Sequence, residues 1–291
     1  MVLLSWTLDA LALAVIAGLA AVYFGCRRAA GAAVGRGQAV CFGTGLVVWV
    51  LAVASAVGVY APVLFWVRAL QVLLLLFVVP FLLALGRPFT ALRAGSQRGR
   101  RMVEWALQSR LMRVALSPPV TSVAMLATPW LLYLTPWYVA SMTGPLAALT
   151  RVVLVVIGFG YFYARLQADP VPTPYSPLLS IGISVVEALA DGLLGVVLWL
   201  GPIVAGPYYA SLHRDWGPSQ RVDQSVGAGI LWILGDVVGI PFILVLMRAL
   251  GRDEKAKAAR VDADLAATPE AGASTLWWEN DPVLRERFGH R

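Results

Sequence analysis

The stretch from Pro62 to Arg87, PVLFWVRALQVLLLLFVVPFLLALGR, constrains the fold more than any other part of the chain. About twenty predominantly apolar residues, rising 1.5 Å each, cross a hydrocarbon core of roughly 30 Å, so this segment reads as a transmembrane helix. Near its front sits Arg68. A cation at that depth costs at least ~2.5 kcal/mol even on lenient insertion scales, so it needs a partner or a water-filled pocket. Two readings stay open for it: a snorkelling or structurally paired arginine, and the occupant of a former or altered functional site.

The same pattern recurs, and seven spans are expected at about 3–25, 38–60, 62–86, 118–139, 145–166, 178–202 and 224–248. Charged residues make up 13% of the chain against the roughly 25% usual for soluble domains, and 59% of residues are hydrophobic. The expected fold class is therefore an all-α polytopic membrane protein. Its basic residues set the orientation. Arg27, Arg28 and Arg36 follow the first span, Arg87 to Arg113 the third, Arg165 closes the fifth, and Arg248 opens a basic tail. The opposite side holds Arg214 and Arg221. The positive-inside bias then puts the N-terminus outside and the C-terminus in the cytoplasm. A seven-helix domain over 1–250 and a largely disordered cytoplasmic tail over 251–291 follow, with a short helix at about 252–267. In that tail Trp277 and Trp278 could dock on the membrane or a partner. Leu3 to Gly25 lacks the basic start and cleavage site of a signal peptide and reads as a retained helix.

Between Arg87 and Pro118, apolar residues recur at Met102, Val103, Ala106, Leu107, Leu111 and Val114. An amphipathic helix over about 97–116 is expected on the cytoplasmic leaflet, its arginines facing lipid phosphates. Pro80 should kink the third span, and ADPVPTPYSP reads as a non-helical cytoplasmic connection. Asp9 reads as a solvated interfacial carboxylate. Glu187 and Asp191, four residues apart on one helix face, cannot both stay ionised without cations or water nearby. Arg68 and Arg151 are the intramembrane cations in reach, so a polar cluster of Arg68, Arg151, Glu187 and Asp191 is expected, with Asp236 deep in the last span as a further candidate.

Several chemistries lack their residues. His213 and His290 are the only histidines, and neither lies in a span, so paired-histidine haem ligation is excluded. Lys255 and Lys257, the only lysines, lie outside the spans, so a retinal Schiff base is excluded as well. HExxH, Walker A and dinucleotide signatures are missing, and no nucleophile–base pair supports an enzyme. Cys26 and Cys41 form no CxxC motif and suit apolar packing. The net charge of +7 reports topology and anionic lipid; no aromatic-interleaved basic surface supports nucleic-acid binding.

Three stretches carry a resemblance to the caa-type cytochrome c oxidase assembly factors of bacterial plasma membranes, the CtaG family. FWVRALQVLLLLFVVPFLLALGRP resembles the family's third helix, where an H-M-x-x-H pair precedes an apolar run, a proline and a G-x-P exit. ADPVP is similar to its D-P-x-P turn, and WGPSQRVDQSVGAGILWILGD to its D-Q-x-x-G-G-x-x-x-W segment. Gln71, Asp223, Gln224, Gly227 and Trp232 keep the pattern, while Ala228 replaces one glycine. The family's two third-helix histidines fall on Arg68 and Val72, its sixth-helix histidine near Asp191, and its fifth-helix histidine has no counterpart among Arg151 to Tyr161. The resemblance implies a plasma-membrane oxidase assembly factor whose relatives help deliver copper. Arginine cannot bind a cation and valine offers no lone pair, so the usual copper route lacks its ligands here.

The resulting expectation is a membrane-embedded assembly factor for a haem–copper oxidase, not an enzyme and holding no cofactor. It would act through contacts with oxidase subunits and lipid, and a guanidinium facing Asp191 and Glu187 would stand where relatives hold a metal. Two alternatives remain: a transporter or channel for a small anionic or metabolite substrate using Arg68 and Arg151, and a copper protein using Met142, His213 and Asp223.

Overall fold

A computed structural model describes residues 6–171 and 177–267. Every regular element among them is helical, and five helices are long and apolar enough to cross a membrane: Ala10–Ala30, Arg36–Tyr60, Phe65–Gly95, Gly144–Leu166 and Ser180–Leu200. The chain divides into two compact units, Met1–Met247 and Arg248–Arg291. The five long helices all belong to the first.

Helix α1 (Ala10–Ala30) starts where the Asp9 carboxylate accepts from the amide of Ala12 at 3.1 Å and ends at Gly31, whose φ of +60° suits glycine. Helix α2 (Arg36–Ala54) stops at Ser55, which is extended; its hydroxyl then accepts from Val57 and opens α3 (Ala56–Tyr60). The third expected span is compound. Helix α4 (Phe65–Leu73) runs through a π turn at Leu74–Val78 into α5 (Val79–Leu85). Pro80 has no N–H to give Leu76, four residues back, and the wider turn absorbs the mismatch: Val79 donates instead to Leu74, five residues back. Arg87, with a φ of +54°, turns the chain into α6 (Pro88–Gly95).

The expected amphipathic helix is two helices, α7 (Gln97–Gln108) and α8 (Arg110–Ala115), parted by an extended Ser109. The fourth expected span is α9 (Pro118–Leu134), followed by the short α10 (Trp137–Ala140). The break falls at Thr135 because a residue before proline is driven to extended backbone, and Pro136 follows. Helix α11 (Gly144–Leu166) is continuous, and α12 (Pro177–Leu200) follows the proline-rich connection, of which residues 172–176 lie outside the described set. Then come α13 (Gly206–Ser211), α14 (Gln220–Gly229), a π turn at Ile230–Leu234 and α15 (Gly235–Ala267). The tail over 268–291, including Trp277 and Trp278, lies outside the described residues.

Close helix crossings hold the first unit together. A Cβ added at Gly158 of α11 would lie 2.0 Å from the Leu76 carbonyl oxygen, the one that Pro80 leaves without its usual donor. Gly45 of α2 meets Leu82 and Leu83, and Gly86 lies under Phe42. The Phe42 ring stacks on Tyr23 at 3.7 Å, while the Tyr23 hydroxyl donates to the Gly86 carbonyl at 2.8 Å. Trp49, Phe65, Leu75, Leu76, Leu132 and Tyr133 fill the buried centre. Cys26 and Cys41 are free thiols, half-buried.

Candidate functional site

The compound third span is held at both ends by carboxylates from elsewhere in the chain. Leu64 offers no side chain to cap α4, so its first amides look for an outside acceptor. Asp223, in the first turn of α14, supplies it: its carboxylate accepts from Phe65 at 3.1 Å and Trp66 at 2.9 Å, and from the Arg214 guanidinium at 3.3 Å. Next to it, Gln224 donates to the carbonyls of Leu198 and Pro202 and accepts from the amide of Val204, tying α14 to the end of α12. Gly227, one turn further, lets the Phe65 ring approach to 2.4 Å from where a Cβ would stand. Asp169 does the same job past the other end. It accepts from the amides of Phe89 and Thr90 at 3.0 and 2.9 Å, and from the Thr90 hydroxyl, capping α6 where Arg87 provides no cap. Burial pushes the Asp169 carboxyl above its usual 3.8, opposed by those three donors.

Between these clamps lie three polar groupings. Arg68, only 2% exposed, donates to Gln71 Oε1 at 2.8 Å and to the Ser141 hydroxyl at 2.7 Å, while Gln71 donates onward to the Ala52 carbonyl at 2.8 Å. Arg151 pairs with Asp9 at 2.6 Å. Arg68, Gln71, Met142, Arg151 and Asp9 line one cavity of about 480 Å³. The third grouping is centred on Glu187, which pairs with Arg165 at 2.8 Å and accepts from the Tyr161 hydroxyl. Arg165 also donates to Ser122, Ser184 and the Ser180 carbonyl, and lies 4.6 Å from the centre of the Tyr161 ring.

The expected pairing of Arg68 and Arg151 with Glu187 and Asp191 is thus not formed. Arg165, read from the sequence as a residue closing the cytoplasmic end of its span, takes Glu187 instead. Helical side chains lean toward the N-terminus of their helix. Arg165, near the end of α11, therefore reaches back to Glu187 of α12, whereas Arg68, near the start of α4 and equally buried, is held by Gln71 and Ser141. The i, i+4 spacing of Tyr161 and Arg165 was the available signal, since it stacks a cation-binding ring under the guanidinium. Asp9 is likewise buried and paired, not solvated. Asp191 and Asp236 line a separate cavity of about 210 Å³ with Glu187, Tyr161 and Phe242, and Asp236 is exposed.

The candidate copper ligands do not gather either. Met142 lines the Arg68 cavity, Asp223 is engaged by two amides and Arg214, and His213 is exposed on a left-handed residue. Among the described residues no three His, Cys, Asp or Glu side chains group closely enough to hold a metal ion. At the third-span histidine positions stand a hydrogen-bonded guanidinium and the buried, apolar Val72. These residues do not fit a copper site.

The motif residues that shape these clamps agree with a wider likeness. The sequence profile of a family described as cytochrome c oxidase caa3 assembly factor matches residues 17–253. The chain belongs to that family. It is 28% identical over 271 residues to an uncharacterized protein of Mycobacterium leprae, covering 88% of this chain and 41% of that protein. Uncharacterized proteins of Mycobacterium bovis and Mycobacterium tuberculosis are each 28% identical over 239 residues, covering 78% of this chain and 36% of theirs. The chain thus spans about two-fifths of the length of the curated relatives it matches. No solved structure matches. As a caa3 assembly factor family member with five apolar helices, it is a multi-pass membrane protein. Its family-motif residues do structural work here. Asp223, Gln224 and Gly227 seat α14 against α4 and α12, and Trp232 packs over Gly192 and Gly195, where an added Cβ would stand within 3.2 and 2.8 Å of it.

Proposed function

We propose that this chain assists assembly of a respiratory haem–copper oxidase in a bacterial plasma membrane, acting by protein contact and without catalysis. In this reading it spans the membrane seven times over 1–250, with α9 and the helix beginning at α14 as the two further spans. The N-terminus lies outside, and the basic α7–α8 segment and the tail from 251 lie in the cytoplasm. One observation carries the reading: the family profile covers residues 17–253 while the third-span positions of the family's histidines hold Arg68 and Val72. The fixed guanidinium and the Arg165–Glu187 pair keep the bundle's interior polar without imidazole ligands. Contact with oxidase subunits then remains as the means of action.

The test is deletion of the encoding gene, with the oxidase quantified by its haem and copper-centre absorbance, and affinity capture of the tagged chain. The expected result is reduced oxidase absorbance, oxidase subunits in the captured fraction and copper well below one ion per chain. Unchanged oxidase absorbance overturns the assembly role. Stoichiometric copper that survives dialysis overturns the contact-only mechanism.

A further inference from the structure

We propose that the cavity beside Arg68 is a binding site for a carboxylate. The guanidinium of Arg68 is buried, yet no acid pairs with it among the described residues. The phenols of Tyr133, Tyr138 and Tyr209 and the guanidinium of Arg151 act on it, none of them an anion at neutral pH. Its two terminal nitrogens are engaged by Gln71 and Ser141, which are neutral dipoles, and its Nε–H has no partner. A buried cation left in that condition is costly unless a counter-charge arrives. Arg151 cannot share a counter-ion, because Asp9 already neutralises it at 2.6 Å. The cavity wall therefore carries one net positive charge.

A second donor set lines the same cavity. Thr143, Gly144 and Ala147 belong to the start of α11, a 23-residue helix whose N-cap side chain makes no capping bond. Pro145 carries no N–H, so the Gly144 amide is the uncapped first-turn donor that lines the cavity, and the helix dipole favours negative charge there. Access exists, since Trp6, Leu8 and Thr143 at the cavity's edge are exposed. A guanidinium at the wall, an uncapped amide and a single excess charge suit a planar monoanion; a phosphate dianion would need a second cation. A volume of about 480 Å³ holds a small acid or the end of a peptide.

The experiment follows tryptophan fluorescence during thermal unfolding of the purified full chain, at constant ionic strength. Acetate probes a free acid, N-acetylglycine a chain end, and N-acetylglycinamide and chloride serve as controls. Saturable stabilisation by acetate or N-acetylglycine, absent with both controls, is expected; the tighter of the two tells a free acid from a chain-borne carboxylate. Arg68→Gln should weaken it about tenfold or more, while Arg221→Gln, on a residue outside the cavity, should leave it intact. The wild-type titration decides even if Arg68→Gln fails to fold. No saturable response to either acid overturns the proposal, as does an equal response to chloride. Stabilisation by phosphatidylglycerol alone overturns it in favour of a lipid phosphodiester. Loss of the oxidase-assembly role would not affect the outcome, because the assay reads binding to the chain itself.

Discussion

Replacing Asp223 tests whether the D-Q motif is a clamp. Its two carboxylate oxygens each take one backbone amide, from Phe65 and Trp66, and Oδ2 also takes Arg214. Asp223→Asn keeps one acceptor and turns an NH₂ group against an N–H donor, stranding one buried amide at about 1–3 kcal/mol. Asp223→Ala strands both amides and leaves Arg214 without its acid, which brings the loss to roughly 2–6 kcal/mol. At about 2–4 °C per kcal/mol for a chain of this size, the alanine variant should unfold on the order of 10 °C lower than wild type, and the asparagine variant about half as far. Thermal unfolding in detergent measures the shift. Amide hydrogen exchange adds a local readout: protection should fall first at Phe65 and Trp66. If Asp223→Asn is as stable as wild type with both amides still protected, the clamp reasoning is wrong.

Four other outcomes follow from the same geometry. Glu187→Leu leaves the wholly enclosed Arg165 guanidinium without its acid and should cost about 3–5 kcal/mol, while the double variant with Arg165→Met should recover most of it; equal losses in both would refute a coupled pair. Gly158→Ala should destabilise by at least about 1–3 kcal/mol, because the added methyl meets the Leu76 carbonyl, whereas Gly229→Ala, with nothing within 4 Å, should be tolerated; thermal unfolding compares them. Arg151→Met should destabilise by stranding buried Asp9, and Asp9→Asn should restore part of that loss in the double variant. Burial holds the Asp169 proton more tightly in the folded chain than the usual 3.8, so the folded state binds more protons just above that pH. The stability contributed by this group is therefore full below 3.8 and falls as pH rises through the folded value. The difference between wild type and Asp169→Asn should shrink accordingly, and a growing difference would refute the sign.

Hydropathy alone located the long helices, because an apolar run is a local property that needs no partner to be read. Gly144–Leu166 starts and ends within a residue of its expected span at 145–166. Breaks were less legible. Thr135 before Pro136 follows from local sterics, but the π turn at Leu74–Val78 reflects how α5 accommodates Pro80 while pressing on Gly158. The family likeness was also visible, since the motif residues sit in contiguous stretches.

Partner choice among the charges is where the sequence stopped. It presents Arg68, Arg151, Glu187 and Asp191 as one economical network, since cations and acids in a low-dielectric bundle must pair. Which pairs form depends on where each helix begins and which way its side chains lean, and neither is written in the spacing. The three-dimensional packing gave Glu187 to Arg165 and Asp9 to Arg151, and left Arg68 among neutral dipoles beside an open cavity. Composition decided that the chain is built for a membrane and that its expected spans carry neither histidine nor lysine. Only the folded bundle decided which charge stands without a counter-charge, because that is a property of distances between helices remote in the sequence.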